Sequence, residues 1–393
     1  MRERFLAQAL IAIGFACAAR TATAQEQGEA PAEAPHGQMR AEIGAEYDSN
    51  AHRVEQITSS GQAVVGSFLQ RLVLSAQALG QIAPRHALAW SATGAAKIFD
   101  APAARSENVV IAQSSLVWRA TLGERTWLAP SASYYEAFQS WTPEGDPAGE
   151  RRDFRSLAPT VELRRGVSES VELGLAAGYR WLLFKPDRDF DFDGPTAGVN
   201  FRWFRDTETG ADWEARAGAA IEHRGFAGPA LVGNCMPDSL PCPGPAKRND
   251  DFVMAQAEMT RTGRVLLGAG YAFQHNGSNS YGETLVRHYA IARVAAALPL
   301  GLYLAARGDL LFAFYRDAVP IARADVMQMS AAKPYNTYEE ENRSTVRVDL
   351  SRDIGDRLRL VGRYTFYANE LGSNAGTYRR HTLLLSLSYG WER

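Results

Sequence analysis

The chain is poor in lysine and carries little net charge. Lysine occurs only at positions 97, 185, 247 and 333, so arginine supplies nearly all of the positive charge. Either a GC-rich genome or a use for the planar guanidinium explains this bias. The formal net charge is −2 at pH 7, which gives no reason to expect a nucleic-acid partner.

Long hydrophobic runs are also scarce. The apolar stretch 6–19 follows Arg2 and Arg4 and is shorter than the roughly 20 residues that a membrane-spanning helix needs. With Ala22 and Ala24 as the small residues of a cleavage site, it predicts a removed export signal over 1–24. The alternatives are a transmembrane helix and a lipoprotein attached at Cys17. The polar, Pro-rich residues 25–38 predict a disordered periplasmic tail.

Cysteine is rare, and residues typical of catalytic sites are not grouped. After the signal only Cys235 and Cys242 remain, in one Pro/Gly-rich stretch. In an exported protein we expect them to form a disulfide, because a metal site would need further ligands nearby. The sequence has no Gly-rich phosphate loop, metal-binding cluster or nucleophile elbow. We therefore predict no enzyme activity, no cofactor and no metal.

From Met39 onward, hydrophobic residues recur at every second position in many stretches of the sequence. In 302–315 and 357–368 one face is apolar with aromatic ends, and the other carries charged and small residues. This alternation is typical of a transmembrane barrel, with lipid outside and polar groups inside. A soluble β-sandwich also alternates, but its strands are shorter. We predict an all-β, antiparallel transmembrane β-barrel over 39–393.

About sixteen strands are predicted, with fourteen to eighteen open. Short and long connections alternate between them, which indicates short periplasmic turns, longer extracellular loops and both termini in the periplasm. Of the long loops, 225–250 and 316–341 could fold into the mouth, and we expect the second to constrict the pore. The predicted strands are 39–48, 63–79, 85–99, 107–122, 125–138, 152–165, 169–184, 191–205, 211–224, 251–262, 264–275, 283–298, 301–315, 342–353, 356–369 and 378–391.

The last predicted strand has the pattern that barrel-assembly machinery reads. Leu383, Leu385, Leu387, Tyr389 and Trp391 share one face of it. We therefore expect outer-membrane lipids and the assembly machinery as partners, and the outer membrane of a Gram-negative cell as the location.

A hairpin is repeated within the chain. Residues 270–288 and 363–381 both run Tyr-x-Phe, then Asn, then Ser-Asn, and end in Arg-His. Asn closes turns readily, so the Ser-Asn pairs are interpreted as turn formers at the outer rim. The alternative is a shared role in binding a divalent cation or a sugar. The residues concerned are Ser49, Asn50, Ser278, Asn279, Ser373 and Asn374.

These motifs carry a resemblance. GAEYDSNAHR (44–53), the repeated hairpin and LLLSLSYGW (383–391) resemble the barrel domain of surface lipoprotein assembly modifiers, and that group is similar to polysaccharide-export porins. Surface lipoprotein assembly modifiers carry a helical-repeat domain before the barrel, whereas this sequence shows no 34-residue repeat there. The resemblance therefore implies a bare barrel of the polysaccharide-export kind.

Charged residues of both signs recur on the predicted inner face. They either pair across the ladder for stability or present hydrogen-bonding groups to a polar solute. Arg357, Arg359 and Arg363, near Arg347, are the best candidates for recognising an acidic solute. The candidate path residues are Arg180, Arg202, Glu214, Arg216, Arg307, Asp309, Arg347, Asp349, Arg357, Arg359 and Arg363. Aromatic residues such as Trp127, Trp181, Tyr271 and Phe314 fit membrane-interface girdles, with sugar stacking as the alternative.

Three functions remain open from the sequence. The first is a channel that exports a surface or secreted polysaccharide, with a periplasmic export protein docking on the short turns. The second is a general or solute-specific uptake porin. The third is a barrel for assembling surface lipoproteins or other proteins.

Overall fold

The computed structural model describes residues 36–51, 64–139, 153–185, 188–205, 212–235, 240–317, 344–368 and 379–392. These residues form sixteen strands and three short 3-10 helices. The strands are β1 (His36–Asp48), β2 (Ser67–Ala83), β3 (His86–Phe99), β4 (Val109–Gly123), β5 (Thr126–Gln139), β6 (Asp153–Gly166), β7 (Val171–Lys185), β8 (Phe192–Arg205), β9 (Asp212–Cys235), β10 (Leu240–Thr262), β11 (Val265–Ser278), β12 (Leu285–Leu298), β13 (Leu302–Tyr315), β14 (Ser344–Ile354), β15 (Leu358–Ala368) and β16 (Arg379–Glu392). The 3-10 helices are Pro102–Glu107, Arg188–Phe190 and Pro299–Gly301.

The strands form one closed antiparallel barrel. Each strand pairs with its neighbours in the chain, and β1 pairs with β16 over Gln38–Asp48 and Thr382–Glu392. Closure gives each described strand a partner on both sides, so the backbone groups at the paired positions are hydrogen-bonded within the wall. The predicted barrel and its strand number are confirmed.

Side chains alternate strictly between the two faces of the wall. On β16, Leu383 and Leu385 are 61% and 60% exposed on the outer face, whereas Leu384 and Ser386 are buried on the inner face. A continuous band of exposed leucines, valines and aromatics surrounds the barrel in this way. In water such a surface is unfavourable, and the outer face is therefore suited to lipid. No described helix is long and apolar enough to cross a membrane.

The two ends of the barrel differ in their connections. Turns at the end that carries His36, called here the turn end, are short, as at 84–85, 124–125 and 263–264. Leu300 and Gly355 have φ near +65° and +71° in two others. The opposite end, called the loop end, carries the long connections. The alternation of short and long links is confirmed.

The stretch 225–250 is not an irregular loop as predicted. In its described residues, 225–235 and 240–250, strands β9 and β10 continue as a hairpin that extends beyond the paired ends of β8 and β11, with irregular register between Leu240 and Asn249. The 279–283 turn braces this hairpin, since Leu231 exchanges hydrogen bonds with Ser280 and Tyr281. The residues 318–343, which include most of the predicted pore-constricting loop, lie outside the described residues.

Apolar side chains fill part of the interior near the loop end. Phe154, Phe184, Phe192 and Phe226 pack together on the β6–β9 side. A second cluster, around Leu69, packs against the 3-10 helix that follows β3. The interior is therefore packed near the loop end, and charged side chains line the middle.

Candidate functional site

The middle of the barrel carries ion-paired charges on β13, β14 and β15. Arg307 donates to both carboxylate oxygens of Asp309 through Nε, at 2.9 and 3.0 Å. Asp349 accepts from Arg347 (2.8 Å) and from Arg363 (2.6 Å). These five predicted path residues are brought together on the inner face. They remain partly exposed, with Arg307 at 35% and Arg347 at 42% of the side chain.

A second inner-face network lies on β7, β8 and β9. Glu214 accepts from Nε of Arg202 (2.5 Å) and from Nε of Arg216 (2.7 Å). The Arg202 guanidinium also lies 3.6 Å from Glu172. Two arginines thus share two glutamates, which leaves this wall electrically balanced.

Arg180 has a different environment from the other candidates. It is buried near the loop end and pairs with Glu222 at 3.4 Å, and Glu222 also pairs with Arg224 at 3.2 Å. The Arg224 guanidinium lies over the rings of Phe252 and Phe192, 4.2 and 5.5 Å from their centroids. Packing on every side makes Arg180 part of the interior rather than of an open surface.

The predicted arginine cluster at β15 is not formed as expected. Arg359 pairs with Asp353 at 2.6 Å, and Arg363 pairs with Asp349 on β14. Arg357 lies in the turn before β15, where its Nη1 donates to the Tyr389 hydroxyl at 3.3 Å. Arg359 and Arg363 each have a protein partner, because acidic residues of β14 come into register beside them.

Sequence reasoning missed a buried cluster under the β9–β10 hairpin. Arg248 binds Asp250 (2.5 Å) and Glu283 (2.9 Å), and both acids are almost fully buried. Asp250 also accepts from Ser278 (2.5 Å) and Asn276 (3.1 Å). The signal was the Ser-Asn motif itself, whose partner acid lies on the neighbouring strand.

The Ser-Asn pairs bind protein groups at the loop end. The Ser49 side chain accepts from the His381 amide (2.8 Å), and Asn50 is fully buried beside Asp48. Asn279 accepts from the Asn249 amide (2.8 Å) and donates to the Lys247 carbonyl (2.9 Å). These bonds tie loops to neighbouring strands. Ser373 and Asn374 lie outside the described residues.

The repeated hairpins share an outward contact. A hydrogen bond joins the Tyr271 hydroxyl to His288 Nδ1 (2.6 Å), and its counterpart joins Tyr364 to His381 (2.8 Å). In both hairpins the Phe two residues after the tyrosine lies against the same histidine ring. The repeat thus encodes one cross-strand unit on the lipid-facing side.

Two further predictions can be compared with the structure. Cys235 and Cys242 form a disulfide at the tip of the hairpin, with Cα atoms 5.9 Å apart, as predicted. Trp127 is not an outward girdle residue. It lies opposite Arg164 in register, and the Arg119 guanidinium lies 4.6 Å from its ring centroid on the inner face.

Within the part of the chain that the structure describes, no group of three or more His, Cys, Asp or Glu side chains could hold a metal ion. The barrel middle carries guanidinium and carboxylate groups. It can bind and orient polar or charged solutes by hydrogen bonding and charge.

The chain is similar to solved outer-membrane proteins at low sequence identity. No protein-family model and no curated protein sequence matches the chain. Among solved structures it is similar to the outer membrane protein OpdK from Pseudomonas aeruginosa (10% identity, TM-score 0.45, 91% of this chain and 99% of OpdK). It is also similar to CdiB from Acinetobacter baumannii (11%, 0.45, 89% and 60%) and to a bacterial polysaccharide outer membrane secretin (7%, 0.39, 92% and 100%). At these identities and TM-scores the likeness carries no argument.

Proposed function

We propose that the protein is a channel in the outer membrane of a Gram-negative cell and that it exports a polysaccharide. The observation that carries the proposal is the charged middle of the barrel. Arg216, Arg307 and Arg347 keep about a third or more of their side chains exposed although they point inward. Charged groups need water or polar partners, so exposed arginines inside a closed wall favour a hydrated path for polar solutes.

The outer face supports the location. Its exposed Leu, Val and aromatic band suits a bilayer, and a barrel of this kind would span the outer membrane with short turns in the periplasm. Both termini would then be periplasmic. The assembly machinery would read β16, and a periplasmic export protein would dock on the short turns.

Export of a polysaccharide fits the mixed signs of the inner face. Donors and acceptors alternate there, as in the Arg307–Asp309 and Arg202–Glu214 pairs, and both are useful to a hydroxyl-rich polymer. The barrel itself would guide the polymer passively, with energy supplied elsewhere. The sequence resemblance to polysaccharide-export barrels supports the same function.

A solute-specific uptake porin is the second candidate. Phe192, Phe226 and the Arg180–Glu222–Arg224 network occupy the interior near the loop end, and this packing favours a narrower path and smaller solutes. The two functions predict different results in the same cells.

The test combines conductance with a deletion strain. The purified barrel should form ion-conducting channels in planar bilayers, and deleting the gene should remove the surface or secreted polysaccharide. Conducting channels together with normal polysaccharide and slower uptake of small solutes would replace export with the uptake function. Absence of conductance in a folded, heat-modifiable barrel would count against both.

A further inference from the structure

Three arginines lie directly opposite one another on adjacent strands. Arg293 on β12 is in register with Arg307 on β13, and Arg307 is in register with Arg347 on β14. All three point inward and remain 35–42% exposed. We name these three residues the arginine row.

Repulsion between the three arginines reduces the stability of the sheet. Like charges directly opposite on neighbouring strands destabilise a sheet. The positions that continue the row on either side are uncharged. Arg293 is in register with Gly268 on β11, which is in register with Thr260 on β10. On the other side, Arg347 is in register with Thr365 on β15. In contrast, Arg202 and Arg216 are also opposite each other, but Glu172 and Glu258 flank them in the same register.

The nearby acids do not balance the row. Glu258, Asp309 and Asp349 pair with its three members, but Asp349 is shared with Arg363. Four arginines therefore face three carboxylates, an excess of one positive charge (4 − 3 = 1) among these residues. On β7–β9, in contrast, Arg202 and Arg216 pair with Glu172 and Glu214, so that two arginines face two glutamates.

A glycine on the neighbouring strand leaves room for the Arg293 side chain. Gly268 lacks a side chain, and a β-carbon there would lie 2.4 Å from the Arg293 Nε. The arginine can therefore lie across β11, where it donates to Thr260 at 2.7 Å and binds Glu258. Its Nε has no hydrogen-bond partner among the described residues.

We infer that the arginine row binds carboxylate groups of an acidic oligosaccharide or polysaccharide. A guanidinium carries five donors in a planar fork that matches a carboxylate, and Arg307 uses only Nε and Nη2 on Asp309. Neighbouring strands are about 4.8 Å apart, so the row places three guanidinium groups, each with donors left beyond its bound acid, over roughly 10 Å. That spacing suits a ligand with repeated acidic groups better than a single small anion. This inference rests on the proposed channel function and names its cargo.

The test uses block of channel current in planar bilayers. The probes are hexagalacturonate, which is acidic, and maltohexaose, which is neutral. The row variant is R293Q/R307Q/R347Q. The matched control is R40Q/R71Q/R164Q, which removes three inner-face charges from β1, β2 and β6. Heat-modifiable migration on gels checks that each barrel is folded.

We expect hexagalacturonate to block the wild-type channel at lower concentration than maltohexaose does. The half-blocking concentration should rise about tenfold or more in the row variant, because hydrogen bonds to charged groups are lost, and should change little in the control. Equal weakening in both variants, or equal block by both sugars, would overturn the inference and leave the channel function standing. A barrel without conductance would refute the channel instead. In that case the affinity of the detergent-solubilised proteins for hexagalacturonate would be measured by calorimetry. Weaker binding by the row variant than by the control would support the inference, and equal binding by the two would overturn it.

Discussion

Asp48 on the first strand and Arg380 on the last are joined by a buried bidentate ion pair. Arg380 Nε lies 2.9 Å from each Asp48 oxygen, and its Nη2 contacts the same carboxylate. Asp48 has no exposed surface, and Asn50 donates its backbone amide to the same side chain. The pair stabilises the place where the barrel closes, between strands far apart in sequence.

Replacing Asp48 with Asn should destabilise the folded barrel. The buried Arg380 charge would lose the carboxylate that it binds through Nε and Nη2, and breaking a buried pair costs about 3–5 kcal/mol. Urea unfolding in detergent, followed by tryptophan fluorescence, measures the loss. The control is Arg125→Gln, which breaks an exposed pair with Glu169 and should cost no more than about 1 kcal/mol. Similar losses for the two variants would show that closure does not depend on this pair.

Gly194 on β8 should tolerate no side chain. A β-carbon there would lie 1.7 Å from the His223 carbonyl oxygen on β9, so Gly194→Ala must separate two strands. Overpacking of this kind costs about 1–3 kcal/mol. Gly94→Ala on β3 is the matched control, because a β-carbon at Gly94 meets nothing within 4 Å. The fraction of heat-modifiable barrel after refolding should fall only for Gly194→Ala.

The two Tyr–His units of the repeated hairpins should contribute equally and independently. Tyr271→Phe and Tyr364→Phe each remove one hydrogen bond, worth about 0.5–1.5 kcal/mol. The double variant should lose the sum of the two, because the units lie on different hairpins. Unfolding free energies of the three variants check this, and a strongly non-additive double variant would contradict it.

The Cys235–Cys242 disulfide should stabilise the extended hairpin and not the barrel. Cys235→Ser/Cys242→Ser removes a link that closes only the hairpin tip, whereas the strands below Gly225 keep their pairing. We expect faster proteolysis within 225–250 and an unchanged unfolding midpoint of the barrel. Wild type treated with reductant serves as the control for the substitutions. A shift of the barrel midpoint would mean that the tip contributes to the stability of the wall.

Much of the fold follows from local sequence. The period of two in stretches such as 302–315 and 358–368 is visible because each strand has one lipid-facing and one inner face. All sixteen strands were therefore predictable, with ends shifted by a few residues. The exception is 225–250, where Pro and Gly indicate a loop. Pairing between β9 and β10, the disulfide and the 279–283 turn nevertheless hold 225–235 and 240–250 as strands.

The sequence by itself determined which face of each strand its charges occupy, and it predicted Arg307, Asp309, Arg347, Asp349 and Arg363 as inner-face residues. Only the tertiary structure decided which of them meet. Register between strands is a long-range property, and a shift of one residue would exchange every inner and outer side chain. The alignment of Arg293 with Arg307 and Arg347, and the closure of β1 on β16, depend on the whole barrel, because no single strand contains the partner.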